Sequence, residues 1–179
     1  EERLSRYRHN VPRPRRPGTA LSVLSGGPYR FLDHYTLEDA EIFYGREQDT
    51  QAVVNMIKEH QLSVLFGASG RGKTSLLLAG VLPALLEEAE SEDGTKWLPV
   101  VVRCGEDPIA STIEAVTAAL REQGISEPEA TDLAPFLQQV IERSGRTVVL
   151  IFDQFEEIFV RLGEPLRVQF LEQLQRALQ

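Results

Sequence analysis

The stretch "SVLFGASGRGKTSLL", Ser63–Leu77, decides how this chain folds. The apolar run Leu62–Phe66 reads as a short buried strand. Gly67, Gly70 and Gly72 then loosen the backbone, and a helix begins at Lys73 with its apolar residues facing a sheet. Gly67, Gly72, Lys73 and Thr74 satisfy G-x-x-x-x-G-K-[ST], and each position has a chemical reason. The glycines let Gly67, Ala68, Ser69, Gly70, Arg71 and Gly72 curl with their N–H groups inward as an anion nest. The helix beginning at Lys73 adds its positive dipole end. Lys73 is a movable charge for β and γ phosphates, Thr74 offers a hydroxyl to Mg²⁺, and Ser75 can reach an α phosphate. Average residue usage would produce the four fixed positions in roughly one chain of this length in 150. The flanking strand and helix make a mere tight turn the weaker reading.

The second informative stretch is "VVLIFDQFEE", ending in Asp153, Glu156 and Glu157. Thr147–Phe152 is continuously apolar, as a strand covered on both faces should be. An aspartate at the carboxyl end of a parallel strand lies at the mouth where ligands bind. There Asp153 can hold Mg²⁺ opposite Thr74, and a nearby carboxylate can activate water. A helix starting after Asp153 would set Glu156 and Glu157 about 100° apart, so only one can face a γ phosphate. The plainer reading, an N-cap followed by solvated glutamates, loses weight because the phosphate loop lies upstream.

The other elements can be read from period and punctuation. Thr36 and Asp39 predict a capping box for a short helix through Ile42. Glu47–His60 reads as a helix with Ala52, Val53, Met56 and Ile57 on one face. The helix from Lys73 is expected to reach Leu86, bent or ended by Pro83. Trp97–Arg103 is a second strand, and Ile109–Gln123 and Asp132–Arg143 are helices. Phe155–Leu162 and Pro165–Gln179 complete the pattern. Strands alternating with helices imply an α/β fold with a parallel sheet.

Composition bounds the rest. The chain has 179 residues, 42% of them apolar and 26% charged, which is ordinary for a folded domain with a core. No apolar run approaches a membrane span, and "EERLSRYRHN" has no secretory pattern. Cys104 is the only cysteine, which favours a reducing, cytoplasmic setting. Residues 1–16 carry six arginines against two glutamates within a chain of net charge −8. With "VPRPRRPG" this Arg/Pro-rich segment, residues 1–28, reads as a solvated linker. It is also the only part of the chain suited to nucleic acid. The chain opens on Glu and stops inside a helix-period pattern, so it reads as a piece of a longer protein.

"FYGRE" (Phe43–Glu47), "GASGRGKTSLLLAGVLPAL" (Gly67–Leu85), "VVRCGEDPI" (Val101–Ile109) and "VVLIFDQFEEIF" (Val148–Phe159), in that order, resemble the N-terminal part of the novel STAND NTPase domain. STAND proteins are signal-transducing P-loop ATPases related to the AAA+, NACHT and apoptotic ATPase groups. The resemblance covers roughly Pro28 to the end, so residues 29–179 are expected to be the N-terminal part of that domain. It implies an ASCE/STAND-type parallel sheet with helices on both faces, C-terminally incomplete. It also implies ATP and Mg²⁺ as ligands, with Asp153 as the Mg²⁺-linked Walker B aspartate and Glu156 as the preferred water activator. Phe43, Gly45, Arg46 and Glu47 match the motif that lies near adenine and ribose in such proteins; a helix-linking turn with Arg46 in a surface ion pair is the alternative. Cys104 is a departure, because proline is common there in the family.

The function this implies is an ATP-dependent switch whose partners would be self-association or effector and sensor domains. The rivals are a phosphotransferase and a non-hydrolysing nucleotide-binding scaffold. By the same resemblance, a further strand should lie between Leu62–Phe66 and Thr147–Phe152. Without it, residues 1–179 alone would leave apolar edges unpaired, and would be aggregation-prone and poor at binding ATP.

Overall fold

The computed structural model describes residues 33–91 and 94–179. The expected linker at 1–28 lies outside the described residues. The chain divides into two units, Glu1–Leu85 and Leu86–Gln179, and each is taken by itself.

In the first unit, Thr36 opens a 3-10 helix, Leu37–Ile42. Its backbone N–H donates to Asp39 Oδ2 at 2.9 Å and its hydroxyl donates to the same oxygen at 3.1 Å. The Asp39 carboxylate thus satisfies the N-cap N–H, as the Thr-x-x-Asp spacing predicts. Gly45, at φ +82°, turns the chain into α1 (Glu47–Glu59). The stripe α1 buries differs from the expected one. Val53 and Val54 are buried, while Ala52 and Met56 face solvent. Thr50, Val53, Val54 and Ile57 are spaced i, i+3, i+4 and i+7, an equally regular helical face. Packing selects it, because Thr50 meets Gly80 across the contact between α1 and the helical run that begins at Lys73.

That run is α2 (Lys73–Ser75), a π-helical segment (Leu76–Val81) and α3 (Leu82–Glu90), without interruption. Pro83 neither ends it at Leu86 nor breaks it. The Leu82 N–H reaches back five residues to the Leu77 carbonyl. The wider π turn ends just ahead of Pro83, the residue with no N–H to donate. The 3-10 helix and α1 both pack on the π segment.

The expected strand Leu62–Phe66 is not formed. Leu62, Val64 and Phe66 are 69%, 72% and 88% exposed. An extended segment becomes a strand through a ladder to a neighbour, and no described residue pairs with this one.

In the second unit, β1 (Trp97–Arg103) and β2 (Thr147–Asp153) pair in parallel, from Trp97↔Thr147 through Val100↔Leu150 to Arg103↔Asp153. β1 is the more deeply buried strand. β2 was expected to be covered on both faces, yet Val148, Val149 and Leu150 are only half-buried, as befits the less enclosed partner of a two-stranded sheet. Helix α4 (Pro108–Glu122) lies against β1, and α5 (Leu133–Ser144) against β2. Asp107 caps α4 through Oδ1, which accepts from Ala110 N at 3.0 Å, with Pro108 in the first turn.

Asp132 stands at the N-cap of α5 but makes no side-chain cap bond. Instead Gln173, from α7 (Glu164–Ala177), accepts from Leu133 N at 2.7 Å through a buried Oε1. Removing that acceptor would strand a buried donor at a cost of about 1–3 kcal/mol. The core joins Leu98, Val100 and Val102 to Val116 and Leu120 of α4, Phe136 and Val140 of α5, and Phe170 of α7. The architecture is thus mixed helix and strand around a small parallel sheet. Among the described residues no helix is long and apolar enough to cross a membrane.

Candidate functional site

The residues expected to hold phosphate lie in the first unit. Gly70 and Gly72 adopt left-handed φ values of +76° and +77°. A residue with a Cβ resists that conformation, so both glycines are required by the turn. Arg71 N donates to Ala68 O at 3.4 Å, closing the loop on itself. Lys73 folds back across it, with Nζ donating to Gly67 O at 2.9 Å and Ala68 O at 3.3 Å. The ammonium is therefore held by carbonyls at the loop's start while its own backbone begins α2. Gly67 through Arg71, including Ser69, are exposed and open to a ligand, and Thr74 is half-buried.

Ser75 is buried, and its hydroxyl oxygen accepts from Tyr35 N at 3.1 Å. That bond ties the segment before the 3-10 helix to the loop, a role sequence reasoning did not give Ser75. Tyr35 also meets Phe43 ring to ring, with centroids 5.4 Å apart. Phe43 in turn stands near Gly80, where a Cβ would be 3.4 Å from its ring.

Arg46 reaches the loop itself. Its Nη1 is 3.7 Å from the position a Cβ on Gly72 would occupy. Its Nε pairs with Asp49 Oδ2 at 2.5 Å. The same short stretch carries a second local bond, Gly45 N to Glu47 Oε1 at 2.8 Å. That donor, with the Glu47 backbone N–H, holds the exposed Glu47 carboxyl below its ordinary range. The resemblance led us to expect this motif near adenine and ribose. The structure sets Arg46 beside the glycine that precedes Lys73.

The acidic residues lie in the second unit. Asp153 ends β2 and is 5% exposed. Gln154 comes next with φ +59°, the one non-glycine residue in the left-handed region among those described. This reversal starts a turn over 154–156, and α6 begins only at Glu157 (Glu157–Arg161). Phe155 anchors the turn, its ring 5.6 Å from Phe152 and 6.2 Å from Phe170. Ile158 is buried three residues on.

With Phe155 and Ile158 both inward, the two glutamates separate. Glu156 is exposed. Glu157 is half-buried and pairs with Arg161, Nε to Oε2, at 3.2 Å. Its charge is also felt by Cys104, just past the end of β1. Burial first, and then the Glu157 carboxylate, push that thiol up to about 11. Of the two candidates, Glu157 is the less exposed and the one whose charge reaches Cys104, whereas the resemblance pointed to Glu156.

In the first unit the exposed loop has two cations, Lys73 and Arg46, beside its backbone, a set suited to an oxyanion. In the second unit Asp153 offers a carboxylate at the end of β2. Mg²⁺ is typically held by one or two carboxylates together with substrate phosphates. The absence of any three-residue metal cage among the described residues therefore does not count against it.

The family model for Novel STAND NTPase 1 matches residues 28–179. No curated protein and no solved structure matches the chain. The mixed architecture with its small parallel sheet is compatible with an α/β NTPase fold.

Proposed function

The chain belongs to the novel STAND NTPase 1 family, and from that premise we propose that it is the ATP-binding and ATP-hydrolysing part of a molecular switch. The observation that carries this reading is the bridge from Lys73 Nζ to Gly67 O at 2.9 Å. It holds a cation across a loop two of whose glycines, Gly70 and Gly72, are already in the left-handed conformation, so little reorganisation is needed to receive a polyphosphate.

In this reading Gly67–Gly72 cradle the phosphates by their N–H groups, and Lys73 and Arg46 neutralise them. Phe43, Gly45 and the Tyr35–Ser75 bond brace the loop from the side of the 3-10 helix. Thr74 and Asp153 are the residues that would hold Mg²⁺, which when bound offsets negative charge on the β and γ phosphates. Glu157, half-buried and with its charge reaching Cys104, is positioned to accept a proton from water, and Glu156 lies in solvent. The parallel-sheet P-loop fold, the switch output and self-association belong to the same proposal and rest on family membership.

The test is phosphate release from Mg²⁺-ATP by the intact protein with no acceptor added. Slow release is expected. Glu157→Gln should keep ATP binding and lower the rate by about 10²–10⁴-fold, as loss of a general base does, and Glu156→Gln should do less. Turnover only with an added acceptor would identify a phosphotransferase. Tight binding with no turnover would identify a scaffold. If Glu156→Gln alone stops hydrolysis, the assignment of the two glutamates is reversed.

A further inference from the structure

Arg46 occupies the N-cap of α1, and its carbonyl accepts the Thr50 N–H at 2.9 Å. The backbone there is fixed from both sides: Gly45 turns at φ +82° with its N–H on Glu47 Oε1, and α1 packs on the π segment. The Arg46 side chain is still 38% exposed, so backbone position alone does not fix a guanidinium with several rotatable bonds. What fixes it is Asp49, three residues on, whose Oδ2 takes Nε at 2.5 Å. Binding through Nε leaves the two Nη groups outside the pair. One of them already stands beside Gly72, the residue that leads into Lys73.

An ion pair this exposed contributes little to folding. Its geometric effect is larger. Arginine's planar fork recognises phosphate oxygens when its plane is set in advance, and an arginine left to rotate must be ordered when the ligand binds. Resting on the phosphate-loop reading above, we propose that Asp49 is a positioning residue: it holds Arg46 by Nε so that the Nη groups meet the oxyanions of a bound nucleoside polyphosphate at Gly72. Asp49 does not touch the phosphate and acts only through Arg46.

The experiment is a double-mutant cycle in the intact protein, using Arg46→Ala, Asp49→Asn and the two combined. Affinity is read by titration with a fluorescent ATP analogue plus Mg²⁺, and by competition with tripolyphosphate, which lacks base and sugar. Asp49→Asn should weaken both ligands by about 3–10-fold, in the range of couplings between touching residues. Asp49→Glu should recover much of the loss. In the Arg46→Ala background, Asp49→Asn should have no further effect. Thermal melting should not shift in parallel with these affinities.

Unchanged or tighter binding by Asp49→Asn would overturn the proposal, the latter showing that Asp49 competes with phosphate for Arg46. An Asp49→Asn loss that persists undiminished without Arg46 would also overturn it. Lys73→Ala separates this from failure of the underlying reading. If Lys73→Ala weakens tripolyphosphate and Asp49→Asn does not, only the positioning role falls. If neither matters, or the unmodified protein binds neither ligand, both fall.

Discussion

Gly80 faces Thr50 so closely that a Cβ on residue 80 would stand 2.4 Å from the Thr50 hydroxyl oxygen. This contact decides how near α1 approaches the helical run that begins at Lys73. Gly80→Ala should therefore cost about 1–2 kcal/mol despite alanine's better helix propensity. With Thr50→Ala present, the same substitution should become neutral or stabilising by up to about 1 kcal/mol. Denaturant melts of the four proteins measure this, and additive effects would show that the two residues do not meet.

Gln154 is held at φ +59° directly after Asp153. A left-handed non-glycine residue costs roughly 1–2 kcal/mol, and such residues gather at functional sites. Gln154→Gly should be neutral to stabilising by up to about 1 kcal/mol, because relief of strain opposes the added freedom of the unfolded chain. Gln154→Val should destabilise by about 1–2 kcal/mol. Thermal melts order the three proteins, and a glycine variant less stable than the valine variant would contradict the turn described for residues 154–156.

The Cys104 thiol, raised from 9.0 to about 11, reports on Glu157. Between those values the folded state keeps a proton that the unfolded state has lost. Stability contributed by this group is thus intact below about pH 9 and declines as pH rises toward 11. Cys104→Ala should flatten that decline. Glu157→Gln should lower the thiol pKa and speed alkylation by iodoacetamide in mildly alkaline buffer, whereas Glu156→Gln should leave the rate profile unchanged. Equal effects of the two glutamine variants would show that Glu157 is not the carboxylate turned toward the end of β1.

The parts of the fold that could be read from sequence are those written in local chemistry. The Thr36–Asp39 pair and the bounds of β1 each depend on residues within a few positions of one another. Features set by distant partners could not be read that way. Gln173 caps α5 from 40 residues away. The π turn before Pro83 changes the helical register without any break in the apolar pattern. For α1 two stripes were equally regular, and the one that meets Gly80 was chosen by packing. Leu62–Phe66 has the composition of a strand, but a strand also needs a hydrogen-bonded neighbour, and composition does not supply one.

The same division runs through the candidate site. The turn at residues 67–72 was legible because its glycines are contiguous with the start of a helix, and Gly70 and Gly72 do take the left-handed conformation. Which of Glu156 and Glu157 is the less exposed was not legible, because it depends on a left-handed residue and on aromatic contacts from Phe155 to Phe152 and Phe170. The approach of Arg46 to Gly72 joins residues 26 positions apart, and the i,i+3 spacing of Arg46 and Asp49 was its only local trace.

The central claim is that residues 67–74 form a phosphate cradle closed by Lys73. The most direct test is titration of the complete NTPase domain, extended past residue 179, and its Lys73→Ala variant with a fluorescent ATP analogue in the presence of Mg²⁺, alongside their circular dichroism spectra. The account predicts tight binding by the unmodified protein and a loss of about tenfold or more in the variant, as expected for removing a charged hydrogen-bonding partner, with the spectrum unchanged. Equal affinities in two proteins with the same spectrum would contradict it.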